Sequence, residues 1–367
     1  MANPFPGERT ENTKLILELY KQESGKVYTD DFDSIKENWL MTPQSSFDIA
    51  SRKGFLRMEH TTDKDVLLLI DKQQGDVAIQ VIADYHPTAI GDKGGLIIYQ
   101  NMDNKVEFLE SYAQNSSQEH KEWMAVSKGD EWNFYSKTDS YFDYVDSDKL
   151  SASKLGVILK KGVSSDYKPL DIDKIIITRG NTLQVRQLFP GGKVVLKDEL
   201  DTVIATNKIE SFNTGTDIPL PSLEFLGTLQ IFDETNSLVA EVKAIFHGGD
   251  VYNLGSSIKV LMGEQELNNT DTTHLGYMTG SDRIIKMRVQ NDYLMAVTNV
   301  KISIQQYMDK IGFTWAEVSL DNIVYSKEVI VNNLAARSFK EFYVKIAKDK
   351  DHFGFEPIYF DIHLKHD

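Results

Sequence analysis

Apolar residues recur at every second position along much of this chain, most regularly towards its C-terminal end. Ile285, Met287 and Val289 are separated by Lys and Arg, and the same alternation runs through residues 342–346 and 358–364. Alternation of this kind gives a β-strand one apolar and one polar face, because successive side chains point to opposite sides. The sequence therefore predicts an all-β protein whose sheets have one buried face and one solvated face.

The chain is too long, at 367 residues, for one small core, so we expect several domains. Segments rich in Gly and Pro interrupt the strand patterns. The sequence contains no low-complexity linker, so we expect short connections between the domains. The predicted order is an N-terminal segment (1–28), a large β-domain (29–180), a small β-sandwich (181–254) and a C-terminal β-sandwich (255–367).

The large domain contains the clearest hairpin signal. Two apolar runs, 96–100 and 106–111, flank the polar turn 101–104. Further along, the run 171–180 predicts a closing strand that returns beside the first strand of the domain. Greek-key jelly rolls have this connection, so the pattern favours a jelly roll.

The large domain resembles the concanavalin-like jelly rolls that accompany some xylosidases and occur alone in phage and bacterial surface proteins. The similar segments are Asp-Asp-Phe-Asp-Ser at 30–34, Gly-Gly-Leu-Ile-Ile-Tyr at 94–99 and Asp-Asn-Lys-Val at 103–106. This resemblance implies a sheet scaffold that presents a face for binding.

The two C-terminal domains resemble immunoglobulin-like sandwiches. The short strands and Gly/Pro breaks of the small domain are similar to those of phage tail and surface proteins. Segments 299–304, 315–320 and 334–344 resemble the adhesion-type immunoglobulin-like domains of bacterial cell surfaces. The predicted fold is therefore a concanavalin-like jelly roll followed by two smaller immunoglobulin-like β-sandwiches.

The N-terminal segment has two interpretations. Leu15, Ile16 and Leu19 suit one face of a short helix, whereas Leu15, Leu17 and Leu19 alternate as a strand would. As an anchor, the segment would dock the protein into a larger assembly. As a strand, it would complete a neighbouring sheet.

Composition disfavours several partners. The net charge of −15 repels phosphate backbones, so we expect no nucleic-acid binding. No apolar run reaches the ~20 residues that span a bilayer. Cysteine is absent, which removes disulfides, thiolate metal sites and cysteine nucleophiles.

The first ten residues also lack the basic and apolar regions of a secretory signal. A surface-type module without export fits a phage virion, which is assembled in the cytoplasm and released by lysis. An intracellular bacterial protein is the alternative.

Familiar catalytic motifs are missing from the sequence. It contains no phosphate-binding loop, no His-Glu-x-x-His, no Gly-x-Ser-x-Gly and no Rossmann glycine triplet. With 55 acidic residues, accidental carboxylate pairs are inevitable and do not by themselves indicate a glycosidase. We therefore expect a protein that is not an enzyme, with a glycan-active enzyme as the more distant alternative.

Acidic residues near the start of the large domain suggest a calcium site. Asp30, Asp31 and Asp33 offer hard oxygen ligands, and the closing strand offers Asp171 or, as our preferred fourth candidate, Asp173. A cation there would tie both chain ends of the sandwich together. The alternative is that these are solvated turn carboxylates, so no cofactor is required and Ca²⁺ is optional.

Aromatic residues of the large domain suggest a saccharide-binding face. Tyr135, Tyr141 and Tyr144 lie among Ser, Asp and Lys, with Tyr99 as a possible neighbour. Tyrosine rings stack on sugars and their hydroxyl groups bind sugar hydroxyls. Trp132 and Phe134 alternate as the core residues of a sandwich do, and we predict that Trp123 and Trp132 both lie in the core.

Together these features resemble a virion structural protein of a tailed phage that infects Gram-positive bacteria. The leading expectation is an oligomeric tail or baseplate component whose jelly roll contacts host-wall saccharide or a neighbouring virion protein. The alternative is a purely architectural virion scaffold or decoration protein.

Overall fold

The computed structural model describes residues 9–11, 18–112, 121–137, 141–162, 167–188, 190–210, 213–255, 258–267, 272–276, 282–292, 296–306, 311–349, 351 and 358–366. Within these ranges the protein is all-β, with two 3₁₀ turns at Gln44–Ser46 and Ile311–Thr314 and no α-helix. The predicted all-β sandwich class is confirmed. No helix in the described ranges is long and apolar enough to cross a membrane.

The first unit comprises two antiparallel sheets that enclose a large apolar core. One sheet has five strands in the order β10-β9-β14-β7-β4, and the other has eight, in the order β13-β12-β11-β8-β15-β6-β5 with β3 beside β15. The strands are β3 Lys26–Asp30, β4 Leu40–Thr42, β5 Phe47–Asp48, β6 Leu56–Met58, β7 Val66–Asp71, β8 Ala78–Asp84, β9 Lys93–Tyr99, β10 Lys105–Ser111, β11 Glu122–Lys128, β12 Glu131–Lys137, β13 Phe142–Lys149, β14 Lys154–Lys160 and β15 Leu170–Thr178.

Alternating residues of both sheets fill this core, as the sequence pattern predicts. Trp123 and Trp132 from the eight-stranded sheet are both buried, and they pack in one cluster with Leu96 and Ile98 from the five-stranded sheet. The closing strand β15 pairs antiparallel with β3, the first strand of the unit. The predicted return of residues 171–180 is therefore confirmed.

The second unit is a smaller sandwich of two four-stranded sheets, ordered β19-β16-β22-β2 and β18-β17-β20-β21. Its strands are β2 Glu18–Glu23, β16 Thr182–Arg186, β17 Lys193–Lys197, β18 Val203–Lys208, β19 Gly215–Pro219, β20 Glu224–Phe232, β21 Leu238–His247 and β22 Val251–Gly255. It has its own apolar core, to which both sheets contribute.

The N-terminal segment contributes strands to two other units. Strand β2 pairs antiparallel with β22, and Leu19 is buried in the second core. A short strand, β1 (Arg9–Glu11), pairs with the strand Thr272–His274 of the third unit. The strand interpretation therefore holds for residues 18–23, although β2 completes the second unit rather than the jelly roll. Residues 1–8 and 12–17 lie outside the described ranges.

The third unit encloses a separate core between a five-stranded sheet, β24-β23-β26-β30-β28, and a three-stranded sheet, β29-β27-β31. Its strands are β23 Ile258–Met262, β24 Gln265–Glu266, β25 Thr272–His274, β26 Asp282–Asn291, β27 Val297–Gln305, β28 Ala316–Ser319, β29 Glu328–Leu334, β30 Phe339–Ala347 and β31 Asp361–Lys365.

The first and second units meet on the outer face of the eight-stranded sheet. The Gln80 side chain is fully buried there, and its carbonyl oxygen accepts hydrogen bonds from the Ser222 hydroxyl at 2.9 Å and the Leu223 amide at 2.7 Å. Nearby, a Cβ atom on Gly248 would lie 1.9 Å from the Gly180 carbonyl oxygen. Glycine is therefore required where these two segments cross.

Candidate functional site

The eight-stranded sheet ends in an edge strand, β13, whose pairing with β12 contains a β-bulge. Tyr135 lies opposite Tyr144, whereas Phe134 lies opposite Asp146, so Val145 is the extra residue. Directly opposed residues share a face of the sheet, which places Tyr135 and Tyr144 together on the outer side.

We use the name tyrosine ledge for Tyr135 and Tyr144, which share the outer face, together with the exposed Tyr141, which lies one residue before β13. The rings of Tyr135 and Tyr144 pack edge to face, with centroids 5.8 Å apart and an interplanar angle of 76°. Tyr141 and Tyr144 are 65% and 58% exposed. Three of the four tyrosines predicted for a saccharide face therefore lie at one edge of the first unit.

The base of the ledge packs against the junction with the second unit. Tyr135 contacts a small apolar cluster that includes Met124 and Ile176 of the first unit and Leu223 of the second. Burial raises the pKa of Tyr135, and the nearby Tyr144 hydroxyl adds to the rise. The Tyr135 ring is therefore held in place, while Tyr141 and Tyr144 extend into solvent.

Tyr99 lies elsewhere. It is on the outer face of the five-stranded sheet, where it packs with Leu109 and Ile97. The structure does not bring Tyr99 to the ledge, because Tyr99 belongs to the five-stranded sheet and the ledge belongs to the eight-stranded sheet.

Asp30, the first residue of the predicted calcium site, is engaged by protein donors. Its buried carboxylate accepts hydrogen bonds from the Tyr28 hydroxyl at 2.6 Å and the Trp39 indole at 2.8 Å, and the Phe32 amide also donates to it. Lys36 forms an ion pair with it at 2.9 Å. Burial alone would raise the pKa of Asp30, but these donors outweigh burial and hold it below its ordinary value.

The other three predicted ligands are not gathered around Asp30. Asp31 and Asp33 are exposed, and Asp173 is exposed at a bulge in β15. Across the described ranges, no three His, Cys, Asp or Glu residues are grouped so that they could hold a metal ion. The calcium site stays a prediction, and the described geometry supplies Asp30 with other partners.

A groove of about 280 Å³ opens at the opposite, inner side of the β13 edge, between the two sheets of the first unit. Its walls come from edge strand β10 of one sheet and from β11, β12 and β13 of the other. The lining residues are Phe108, Leu109, Glu110, Ser111, Trp123, Ser136 and Val145.

Aromatic and polar groups meet in this groove. Phe108 stacks on Phe134 across the sandwich, with ring centroids 5.3 Å apart. Trp123 lies opposite Ser136 in the β11–β12 pair. The Trp123 indole N–H is buried and has no hydrogen-bond acceptor among the residues that the structure describes. Trp123 is in the core as predicted, but it also carries an unpaired donor.

Glu110 was not selected from the sequence, although a signal for it exists. Val106 and Phe108 face the core, so the period of two places Glu110 on the same inward side of β10. A carboxylate in an apolar register indicates either a buried ion pair or a binding site. Ser136 carried no such signal, since serine is common on either face of a strand.

No protein-family model and no curated protein sequence matches the chain. Solved structures with partial similarity include the GH43 protein BlXynB from Bacillus licheniformis, 15% identical, with a TM-score of 0.36 over 41% of this chain and 39% of that one. A xylan beta-1,4-xylosidase from Bacillus halodurans is 14% identical, with a TM-score of 0.37 over 42% and 40%. The adhesin domain of Epf from Streptococcus pyogenes is 13% identical, with a TM-score of 0.16 over 55% and 77%.

These similarities contradict the expectation that the chain is not an enzyme, because one of the proteins is a GH43 protein and another is a xylosidase. That expectation is withdrawn. The chain spans about two fifths of the length of those proteins. At such TM-scores the similarity assigns no catalytic residue and no activity to this chain.

Proposed function

We propose that the first unit binds saccharide through the tyrosine ledge, within a phage tail or baseplate component that contacts the host wall. The observation that carries the proposal is the grouping of Tyr135, Tyr141 and Tyr144 at one edge, with two of the three rings largely exposed. Exposed aromatic rings that are fixed at their base are suited to stacking on sugar rings.

The surroundings of the ledge favour an extended saccharide. Beside the tyrosine pair on the outer face, Asn133 of β12 lies opposite Ser147 of β13, whereas Asp143, Asp146 and Asp148 lie opposite residues of the inner face. The Asn133 amide and the Ser147 hydroxyl can donate and accept hydrogen bonds with sugar hydroxyls, while the rings cover the apolar C–H faces. A flat edge of this kind contacts several sugars in a row without enclosing them.

The negative charge of the protein disfavours anionic saccharides as ligands. The chain has a net charge of −15, and three of its exposed carboxylates, Asp143, Asp146 and Asp148, lie on β13. Anionic wall polymers are repelled by such a surface within the ~8–10 Å over which charges act at physiological salt. The proposed ligand is therefore a neutral wall polysaccharide.

The role in a virion rests on the sequence resemblance of the large and C-terminal domains to phage and surface proteins. It stays a prediction, together with neighbouring virion proteins as partners and with assembly into an oligomer. The saccharide proposal does not depend on that placement, since it is argued from the ledge alone.

Sedimentation with neutral cell-wall polysaccharide from Gram-positive bacteria tests the proposal. The intact chain is compared with the double variant Tyr141→Ala/Tyr144→Ala. Each aromatic contact contributes about 1 kcal/mol, so the double variant should bind at least about ten-fold more weakly. Analysis of the supernatant for released sugar reports in the same experiment whether the polysaccharide is cleaved.

The matched control is Phe339→Ala, which removes an aromatic ring of similar exposure, 55%, from the third unit. This control should bind like the unmodified chain, and all variants should keep its melting temperature. Equal binding by the double variant and the control would show that the ledge is not the saccharide surface.

A further inference from the structure

We infer that the groove between β10 and β13 is a second saccharide site, which holds a single neutral sugar ring. This inference rests on the proposed function, because both sites require the first unit to bind saccharide. The two sites are separate, however: Tyr144 points to the outer side of the sheet, whereas Val145 at the bulge lines the groove on the inner side.

Both sheets form the walls of the groove, so its shape is set by the fold of the first unit. Phe108 and its stacking partner Phe134 connect the two sheets beside the cleft. Trp123 is 1% exposed and Ser136 is 7% exposed, so both are fixed by the surrounding core. A ligand in the groove would therefore meet groups that are already positioned, at little cost in ordering.

The Trp123 indole points to the chemistry of the ligand. Trp123 lines the groove and is 1% exposed, and its buried N–H lacks an acceptor within the described ranges. A buried unpaired donor costs about 1–3 kcal/mol, so a ligand that supplies an acceptor oxygen recovers that energy. A sugar hydroxyl or ring oxygen is such an acceptor.

The remaining lining residues complement a polyhydroxylated ring. Glu110 accepts hydrogen bonds from hydroxyl groups, and Ser136 both donates and accepts them. Phe108 and Val145 supply apolar walls for C–H groups, whereas Leu109 and Ser111 border the groove from strand positions whose side chains face outward. Donors, acceptors and apolar surface in one small cleft are what a pyranose or furanose ring requires.

Size and charge define the ligand further. At about 280 Å³ the groove lies at the lower end of ligand pockets, which range from ~300 to ~1,000 Å³, so it accommodates one ring rather than a chain. The described lining contains one carboxylate and no basic side chain. Anionic sugars are therefore disfavoured and neutral sugars fit.

The test uses the indole N–H signals of the ¹⁵N-labelled intact chain, which contains four tryptophans. The Trp123 signal is assigned as the one that disappears in Trp123→Phe. Glucose, galactose, N-acetylglucosamine and xylose are added singly, with glucosamine and glucuronate as the cationic and anionic probes. At least one neutral sugar should shift the Trp123 signal in a saturable way and leave the other three in place.

Two variants test the site without depending on Trp123→Phe folding. Glu110→Gln and Ser136→Ala should weaken the affinity for that sugar about ten-fold, which is the usual effect of losing a hydrogen bond to a buried ligand. Glu107→Gln is the matched control, because Glu107 lies on the same strand but its carboxylate is bonded to Lys160 on the outer face. The control should bind like the unmodified chain.

The outcomes separate this inference from the proposed function. A Trp123 shift that persists in the ledge double variant supports the groove as a site of its own. No shift with any neutral sugar, or a shift with glucosamine alone, overturns the groove inference. Loss of wall-polysaccharide binding in the ledge variant would still support the ledge in that case.

Discussion

At the scale of single residues, the buried carboxylate of Asp30 connects the first strand of the first unit to the loop that follows it. It is 1% exposed and bonded to groups on both β3 and the following loop. A buried charge is tolerated only when donors replace its hydration, and the side chains of Tyr28, Trp39 and Lys36 do so here. With the hydrogen bond from the Phe32 amide, these make four interactions, which leave the carboxylate few lone pairs for a cation.

Replacing Asp30 therefore tests whether it is a structural centre or a metal ligand. Asp30→Ala should lower the free energy of unfolding by about 3 kcal/mol, because the buried Trp39 indole and Phe32 amide lose their acceptor. Asp33→Ala, at an exposed neighbouring position, should change it by less than about 0.5 kcal/mol. Thermal melts with Ca²⁺ and with chelator provide the measurement. A Ca²⁺-dependent rise in melting temperature that both variants abolish would instead support the calcium site.

The free energy of unfolding should depend on pH through His247. Burial lowers its pKa below the ordinary value of 6.5, with Asp250 and Glu224 opposing that shift and Lys21 and Lys26 adding to it. When a group has a lower pKa in the folded state than in the unfolded state, the native state is most stable at pH values above the unfolded-state pKa. As the pH falls below 6.5, the unfolded chain takes up the proton first and stability declines.

The expected result is a fall in melting temperature from about pH 7.5 to about pH 5.5 that is smaller in His247→Asn than in the unmodified chain. His60, whose pKa is also lowered mainly by burial, is present in both proteins and cancels in the comparison. Parallel melting curves for the two proteins across this pH range would contradict the assignment to His247.

At the scale of elements, period-two apolar patterns predicted the strands that border a core on one or both faces. The predicted strand 132–137 is observed as β12 Glu131–Lys137, and 155–160 as β14 Lys154–Lys160. Strand β13 was not predicted, because seven of its eight residues are exposed and its sequence, Phe-Asp-Tyr-Val-Asp-Ser-Asp-Lys, shows no apolar alternation. Its carboxylates suit an edge strand, where charge prevents pairing with other chains.

The N-terminal strand shows what local sequence could not decide. The apolar residues of 15–19 fit a helix or a strand equally well, and β2 is specified by its partner β22, more than two hundred residues away. A sequence pattern also could not show that Leu19 packs in the core of the second unit. Tertiary pairing therefore settled the conformation.

Leu19→Ala tests that membership. Leu19 is 7% exposed in the second core, so its truncation should cost about 2–4 kcal/mol and lower the melting temperature. Leu200→Ala, at a site in the same unit that is 86% exposed, should have almost no effect. If the segment were only an anchor for another protein, the two variants would melt alike.

At the scale of the whole molecule, the outer face of the eight-stranded sheet serves two purposes. Part of it is covered by the second unit through Gln80 and Leu223, and its β12–β13 edge presents the ledge. Sequence reasoning found three ledge tyrosines from their polar neighbours. It did not find the groove, because that site arises from two edges brought together by the fold and from one bulge residue.

Gln80 should couple the first and second units during unfolding. Gln80→Ala leaves the buried Leu223 amide without its acceptor, so we expect a loss of about 1–3 kcal/mol and a separation of the two units' transitions in calorimetry. The exposed Gln100→Ala is the comparison and should preserve the profile. An unchanged profile for Gln80→Ala would mean that the junction transmits no stability.

The most direct measurement of the central claim is a glycan array probed with the intact chain. If the first unit is a saccharide-binding sandwich, the protein will bind neutral glycans in preference to anionic ones, and Tyr141→Ala/Tyr144→Ala will reduce the signal for polysaccharides. An array without any bound neutral glycan, from a chain that melts cooperatively, would contradict it.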